Sequence, residues 1–156
     1  MLHLLASAAQ TADPAGPVLP PSSCVWAHGH VLNLTWWHCT HNKSHDFRIS
    51  AEIQRHGCYE CHAVGFVLHT LRLHAGTFVD AGANIGTFSV PAAADGHFVH
   101  SFEPVPRNAR MLRTSLNVNE RADRTHVYET ALGAAQGWVS MNGKLEMGNN
   151  LSLIHI

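Results

Sequence analysis

Residues Thr77 to Thr87, TFVDAGANIGT, decide the fold. Thr77, Phe78 and Val79 are β-prone and run into a carboxylate, Asp80. Gly82 and Gly86 bracket Ala83, Asn84 and Ile85, and FSVPAAA follows with the composition of a helix start. A short strand, a glycine-rich turn and a helix N-terminus together form a common cradle for an adenosine-type cofactor. Gly82 permits a tight turn that a Cβ would obstruct, and Gly86 allows a ligand or strand to come close to the backbone. The helix behind contributes unpaired N–H groups and the positive end of its dipole.

The companion of this stretch lies downstream. HFVHSFE alternates as a strand does and ends in Glu103, twenty-one positions after Gly82. An acidic side chain about 20 residues beyond such a turn takes the ribose hydroxyls of a nucleotide cofactor. Two carboxylates at the ends of adjacent strands suit an adenosine that carries an ammonium group. They suit a diphosphate poorly, because Asp80 repels it, and the turn reads DxGxNxG where a dinucleotide fingerprint reads GxGxxG.

FVDAGANIG, then HSFEPVPRNARML, then ETALG resembles the FkbM-type methyltransferases, class I enzymes that use S-adenosylmethionine. The resemblance covers roughly residues 76–140 and rests on DxGxNxG and FEPxP at their mutual spacing. It implies an α/β, Rossmann-like fold with a mostly parallel sheet and flanking helices. It also implies a cofactor site made of Asp80, Gly82, Ala83, Asn84, Gly86, Glu103, Pro104 and Ala131. Asp80 would hold the methionine part of S-adenosylmethionine, directly or through water. Glu103, its exit fixed by Pro104, would clasp the ribose with both oxygens. Asn84 is expected in a left-handed turn, with contact to the carboxylate end of the cofactor. Ala131, at the end of the third strand, would pack on adenine.

Composition sets bounds on what surrounds that site. The chain has 156 residues, enough for one domain with a core, and is 46% hydrophobic and 13% charged, so it is globular. A net charge of −1 with neutral histidines implies no general attraction to nucleic acid or membrane surfaces. No apolar run approaches the roughly 20 residues of a membrane span. Met1 to Ala9 is apolar but short, and no Lys or Arg precedes Lys43, so a signal peptide's positive start is missing. The compartment therefore stays open between cytoplasm and secretory lumen.

Along the chain, residues 1–23 form an N-terminal extension ending in a proline-rich linker, TADPAGPVLPPSS. Residues 24–75 are rich in Cys, His and Trp. They lack clean periodicity up to Ser50, then offer a short helix over Ile49 to Arg55. A longer helix follows over His62 to Leu73, with apolar residues at 64, 67, 68 and 71. Trp36 and Trp37 are expected to cap one edge of the later domain as core residues.

Residues 76–150 carry the partial methyltransferase domain. Its elements are a strand to Asp80, a helix over Thr87 to Ala94 with Pro91 as its weak point, and a strand over His97 to Glu103. A helix over Pro106 to Asn119 and a strand over Thr125 to Leu132 come next, then a turn and a strand over Trp138 to Met141. On the second helix Ala109, Leu112 and Leu116 share one face, and Arg107, Arg110 and Arg113 are expected on a solvated one. The resembled fold carries seven strands, so the chain reads as truncated at its C-terminal end. The tail 151–156, LSLIHI, resembles translated sequencing-adapter read-through.

The four cysteines, Cys24, Cys39, Cys58 and Cys61, admit three states. They are free buried thiols, two disulfides stapling an irregular region, or part of a zinc site completed by His38, His41, His45, His56 or His62. A single CxxC without a repeat argues against a closed tetrahedral site, so no metal is expected. Sequons at Asn33 and Asn42 flank Cys39 and lean towards a lumenal setting, and a third, at Asn150, falls in the doubtful tail.

The functional expectation is a methyltransferase acting on oxygen, with a small hydroxylated acceptor such as a sugar or natural product. No general base is assigned; His100 and Glu129 are titratable but nothing aims them at an acceptor. An NAD-dependent oxidoreductase and a non-catalytic zinc- or protein-binding domain are the alternatives.

Overall fold

The computed structural model describes residues 16–74 and 76–134. An antiparallel hairpin comes first, β1 (Val25–Val31) and β2 (Leu34–Thr40), followed by helices α1 (Ile49–His56) and α2 (Cys61–Leu73). Then the chain alternates: β3 (Thr77–Ala81), α3 (Ser89–Ala94), β4 (Phe98–Phe102), α4 (Pro106–Val118), β5 (Thr125–Tyr128). The last three strands form one parallel sheet in the order β3-β4-β5, with Asp80 opposite Ser101 and Phe102 opposite Tyr128. This is the expected α/β, Rossmann-like arrangement in partial form: strands that need crossovers receive helices in the connections.

Helix α3 is shorter than the sequence predicts, because it begins only at Ser89. Pro91 thereby falls in the first turn, where its missing N–H has no intrahelical partner to lose. Helix α4 starts with Pro106 at its first position, for the same reason, and buries Ala109, Leu112 and Leu116. Arg113 departs from the expected solvated face. It lies one helical turn from both Ala109 and Leu116, so it shares their face, and it is buried. Its guanidinium pairs with Glu129 and donates to Val127 O at 2.9 Å, tying α4 to the carboxyl end of β5.

β1 and β2 were hidden in the sequence for a physical reason. The inward residues of β1 are Ala27, Gly29 and Val31, and those of β2 include His38 and Thr40, so hydropathy does not alternate. The hairpin packs on α3 and α4 through β2 and on α1 through β1. Of the two tryptophans, Trp36 is a core residue beside Val64, Leu68 and Leu112, whereas Trp37 is half exposed and stands edge-on to His28. Part of the expected linker also docks: Leu19 donates its N–H to Thr114 Oγ1 at 2.9 Å and packs with Ile53, Ile85 and Met111. The sheet's other face, with Val79, Phe98, His100, His126 and Tyr128, is covered by no element among the described residues; His100 and His126 stack at 5.2 Å. The strand expected over Trp138 to Met141, the first fifteen residues, the Asn150 sequon and the tail lie outside the described residues.

All four cysteines are oxidised. Cys24 bonds Cys39 across the open end of the hairpin, and Cys58 bonds Cys61 at the start of α2. Of the three states admitted by the sequence, the free thiols and thiolate ligands are therefore not the ones adopted. A crosslink stabilises chiefly by removing unfolded conformations, more so for a longer loop. The 15-residue separation of Cys24 and Cys39 corresponds to about 3 kcal/mol, and the 3-residue separation of Cys58 and Cys61 to about half that. Guanidinium denaturation of the paired Ser variants is expected to reproduce that order. Equal losses, or a larger loss for Cys58→Ser/Cys61→Ser, would contradict the loop-length account.

Candidate functional site

The candidate site sits where β3 and β4 end, at the turn that follows β3. Gly82 (φ 86°) and Asn84 (φ 53°) are both left-handed. A Cβ at Gly82 would meet nothing within 4 Å, so the backbone angle, and not crowding, requires glycine there. Gly86 (φ 102°) is different: a Cβ there would lie 2.5 Å from Leu112 Cδ1 and 2.6 Å from Val90 Cγ2. The close approach expected for a ligand or strand is made by the protein's own α4 side chain.

Every backbone amide from 82 to 86 is already engaged. Gly82 and Ala83 donate to Phe102 O at 2.9 and 3.0 Å, and Gly86 donates to Ala83 O at 2.8 Å. Ile85 donates to Asn84 Oδ1 at 2.7 Å, and Asn84 donates to Glu103 Oε2 at 2.8 Å. A loop in this state presents no row of free N–H groups to an anion, unlike a phosphate-binding loop.

The two carboxylates are both buried. Asp80 Oδ2 accepts the Ser89 hydroxyl at 2.6 Å, and Ser89 also donates its main-chain N–H. Because that hydroxyl proton is used, Ser101 donates to Ser89 Oγ, 2.7 Å away. Asp80 thus caps the start of α3, and burial pushes its carboxyl up from the ordinary value against these bonds.

Glu103 begins two residues beyond the partner of Asp80 in the register, about 7 Å further along. Besides Asn84 it accepts Val105 N–H at 2.9 Å on Oε1, and an Asn108 side-chain bond. Burial raises its carboxyl too, with the Asp80 charge adding to that and the three donors opposing it. A carboxylate has about four acceptor directions. One is left for a hydroxyl, and the clasp on both ribose hydroxyls requires one internal donor to let go.

The other residues fall in mixed places. Ala83 is buried, and Pro104, half buried, carries the chain from Glu103 to Val105. Ala131 lies three residues beyond the end of β5, because that strand stops at Tyr128 and not at Leu132. His100 Nδ1 bonds Tyr128 Oη at 3.0 Å, and Glu129 is held by Arg113, so neither titratable group from the sequence stands free.

Three contributors were not singled out in the sequence. Ser89 and Asn108 lie inside stretches the sequence reading used but received no role there; Ser89's signal was its place nine residues after Asp80, at the helix start. His38, read only as a possible metal ligand, is buried, and Ile85 O accepts from its Nε2 at 3.0 Å, which fixes the proton on Nε2. Its Nδ1 then accepts from Trp36 Nε1 at 3.4 Å. Burial holds this imidazole down at about 4, so it is neutral at pH 7. His41 Nε2 lies 3.1 Å from Asn108 Oδ1, and its pKa is lowered by burial.

No protein-family model and no curated protein matches the chain. Among solved structures, a "putative transferase" from Pyrococcus horikoshii is similar at 17% identity over 70% of this chain, with a TM-score of 0.43. The chain spans 37% of that protein's length, and a likeness of this degree carries no argument about chemistry.

His38 has a consequence for acid stability. The unfolded imidazole takes its proton near the ordinary 6.5 and the folded one only near 4, so between those values the unfolded chain binds more protons. Stability contributed by neutral His38 is complete above pH 6.5 and falls as pH drops through that window, by at most about 1.4 kcal/mol per unit. His41 acts in the same direction; the raised Asp80 and Glu103 carboxyls act in the opposite one. Denaturation at pH 7, 6 and 5 is expected to give a flatter dependence for His38→Gln than for the native chain. Parallel curves would mean that His38 takes up its proton as readily in the fold as in the unfolded chain.

Proposed function

We propose that the chain forms part of an S-adenosylmethionine-dependent methyltransferase of the FkbM type, acting on a hydroxyl of a small acceptor such as a sugar or natural product. The observation that carries this reading is the pairing of two buried carboxylates at the ends of β3 and β4 with a loop whose amides from 82 to 86 are all used. Such a site offers acceptors to hydroxyl and ammonium groups and no donors to a diphosphate. The residue pattern DxGxNxG and FEPxP supports the same reading. The oxidised cysteines support an oxidising compartment as its setting. No helix among the described residues is long and apolar enough to cross a membrane.

When bound, S-adenosylmethionine supplies a methyl group already activated on a sulfonium. The protein's task is then to orient and to exclude water. In this reading Glu103 accepts a ribose hydroxyl through its remaining acceptor direction, and Asp80 attracts the ammonium end. Gly82, Ala83, Asn84 and Gly86 shape the wall between them, and Pro104 fixes the direction in which Glu103 leaves its strand. Ala131 contributes apolar packing to the adenine, and no residue is assigned as base. An NAD-dependent oxidoreductase shares the strand, turn and Glu103, but its diphosphate would meet Asp80 and an occupied loop. The zinc site weighed from the sequence draws on the cysteine thiolates, which are taken up in the two disulfides.

Calorimetric titration with S-adenosylhomocysteine and NAD tests the assignment. A hydrogen bond to a charged group contributes about 1.5–3 kcal/mol, so Glu103→Gln is expected to weaken S-adenosylhomocysteine roughly ten- to a hundredfold. The Gln amide must also turn its NH₂ towards a main-chain N–H at Asn84 or Val105, so the folded fraction is measured alongside. Asp80→Asn is expected to weaken S-adenosylhomocysteine while easing diphosphate binding. NAD binding tighter than S-adenosylhomocysteine, or a Glu103→Gln variant with unchanged affinity, would sink the assignment.

A further inference from the structure

We propose that His41 and Asn108 are positioning residues for Glu103, forming a directed hydrogen-bond chain that runs from the N-terminal hairpin to the carboxylate. The inference rests on the reading of Glu103 as the ribose acceptor, and it adds two residues that neither sequence motif contains.

The chain's direction follows from donor and acceptor chemistry. Asn108 Oδ1 is an acceptor only, so the His41 ring places a proton on Nε2 and donates across the 3.1 Å gap. The Asn108 amide is thereby fixed in one of its two orientations, with its NH₂ free to serve the acceptor-only carboxylate of Glu103. Glu103 in turn holds the Asn84 and Val105 amides. Reversing the amide would set two acceptors against each other at Glu103, so His41 selects the productive orientation.

The ring itself is held from behind. His41 donates its main-chain N–H to Ser50 Oγ at 3.1 Å, and its carbonyl accepts from Gln54 Nε2 at 2.7 Å, both on α1. It follows directly on Thr40, the last residue of β2, whose hydroxyl accepts from Gln54 and donates to Val25 O. Asn108 and Glu103 are both buried, so neither has water as an easy substitute partner. The charged and titratable groups around the ring are Arg107 on α4 and Asp46 and His45 in the loop before α1; the ring is neutral at pH 7 because burial lowers its pKa.

The consequence is that a hairpin remote from the sequence motif sets the carboxylate plane at the candidate site.

The test follows the Glu103 carboxyl by ¹³C NMR titration, with no ligand present, in the native chain and in His41→Leu, His41→Gln and Asn108→Leu. Loss of the Asn108 bond removes a donor that holds the carboxyl down, so Glu103 is expected to titrate at higher pH in both Leu variants. His41→Gln keeps an N–H donor at that position and is expected to restore the native titration. Calorimetry with S-adenosylhomocysteine on the same proteins is expected to show roughly tenfold weaker binding in the Leu variants and near-native binding in His41→Gln. If Asn108→Leu does not fold, the half-buried His41 pair carries the comparison. A Glu103 titration that superposes in all forms overturns the chain, as does an S-adenosylhomocysteine affinity that stays constant while the titration moves. If the titration moves as expected and no form binds S-adenosylhomocysteine, the positioning of Glu103 stands and the methyltransferase reading fails.

Discussion

The bond from the Asn84 amide to Glu103 Oε2 is the constraint on which the rest of the site depends. It joins the turn after β3 to the first residue beyond β4. A carboxylate accepting main-chain N–H groups is a strong, charge-assisted arrangement. It is formed in a region where burial otherwise disfavours the ionised group, so the donors and the charge hold each other in place. Phe102 O, which accepts from Gly82 and Ala83, completes the same junction from the main chain one residue earlier.

Behind that junction stands the hairpin. His38 reaches the loop through Ile85 O, and His41 reaches Glu103 through Asn108, while Cys39 between them is oxidised to Cys24 and donates its main-chain N–H to Ser115 Oγ on α4 at 2.9 Å. Four consecutive residues, 38 to 41, thus tie one strand to the loop, to α4, to α1 and to β1. Polar groups buried to this degree are tolerable only because each has a partner. The same satisfaction leaves the amides from 82 to 86 with internal partners and no ligand needed to satisfy them.

The two faces of the parallel sheet differ. Val99, Ser101, Thr125 and Val127 are buried on one side, whereas Phe98 and Val79 on the other are about half exposed, at 53% and 48%. The aromatic and imidazole rings there stack on one another, Phe102 on Tyr128 at 4.6 Å and His100 on His126 at 5.2 Å, which shelters part of their apolar area on a face that no element among the described residues covers.

The sequence by itself determined the parallel α/β unit, because strand-forming runs alternating with helical ones leave few topologies. It also placed Asp80 and Glu103 at adjacent strand ends and Asn84 in a left-handed turn, since backbone angles at Gly82 and Asn84 are a local property. Tertiary structure decided what these groups hold. At Gly86 the left-handed backbone already favours glycine, and tertiary packing adds the close approach of Leu112 from a distant helix. Arg113 is buried because Glu129 and Val127 meet it there, although its spacing from Ala109 and Leu116 was a readable hint. The hairpin escaped notice because its inward residues, Ala27, Gly29, His38 and Thr40, are small or polar and carry no hydrophobic period. His38 and Asn108 become site residues only through partners 47 and 67 positions away in the chain. Such pairings depend on how elements pack, which no local pattern encodes.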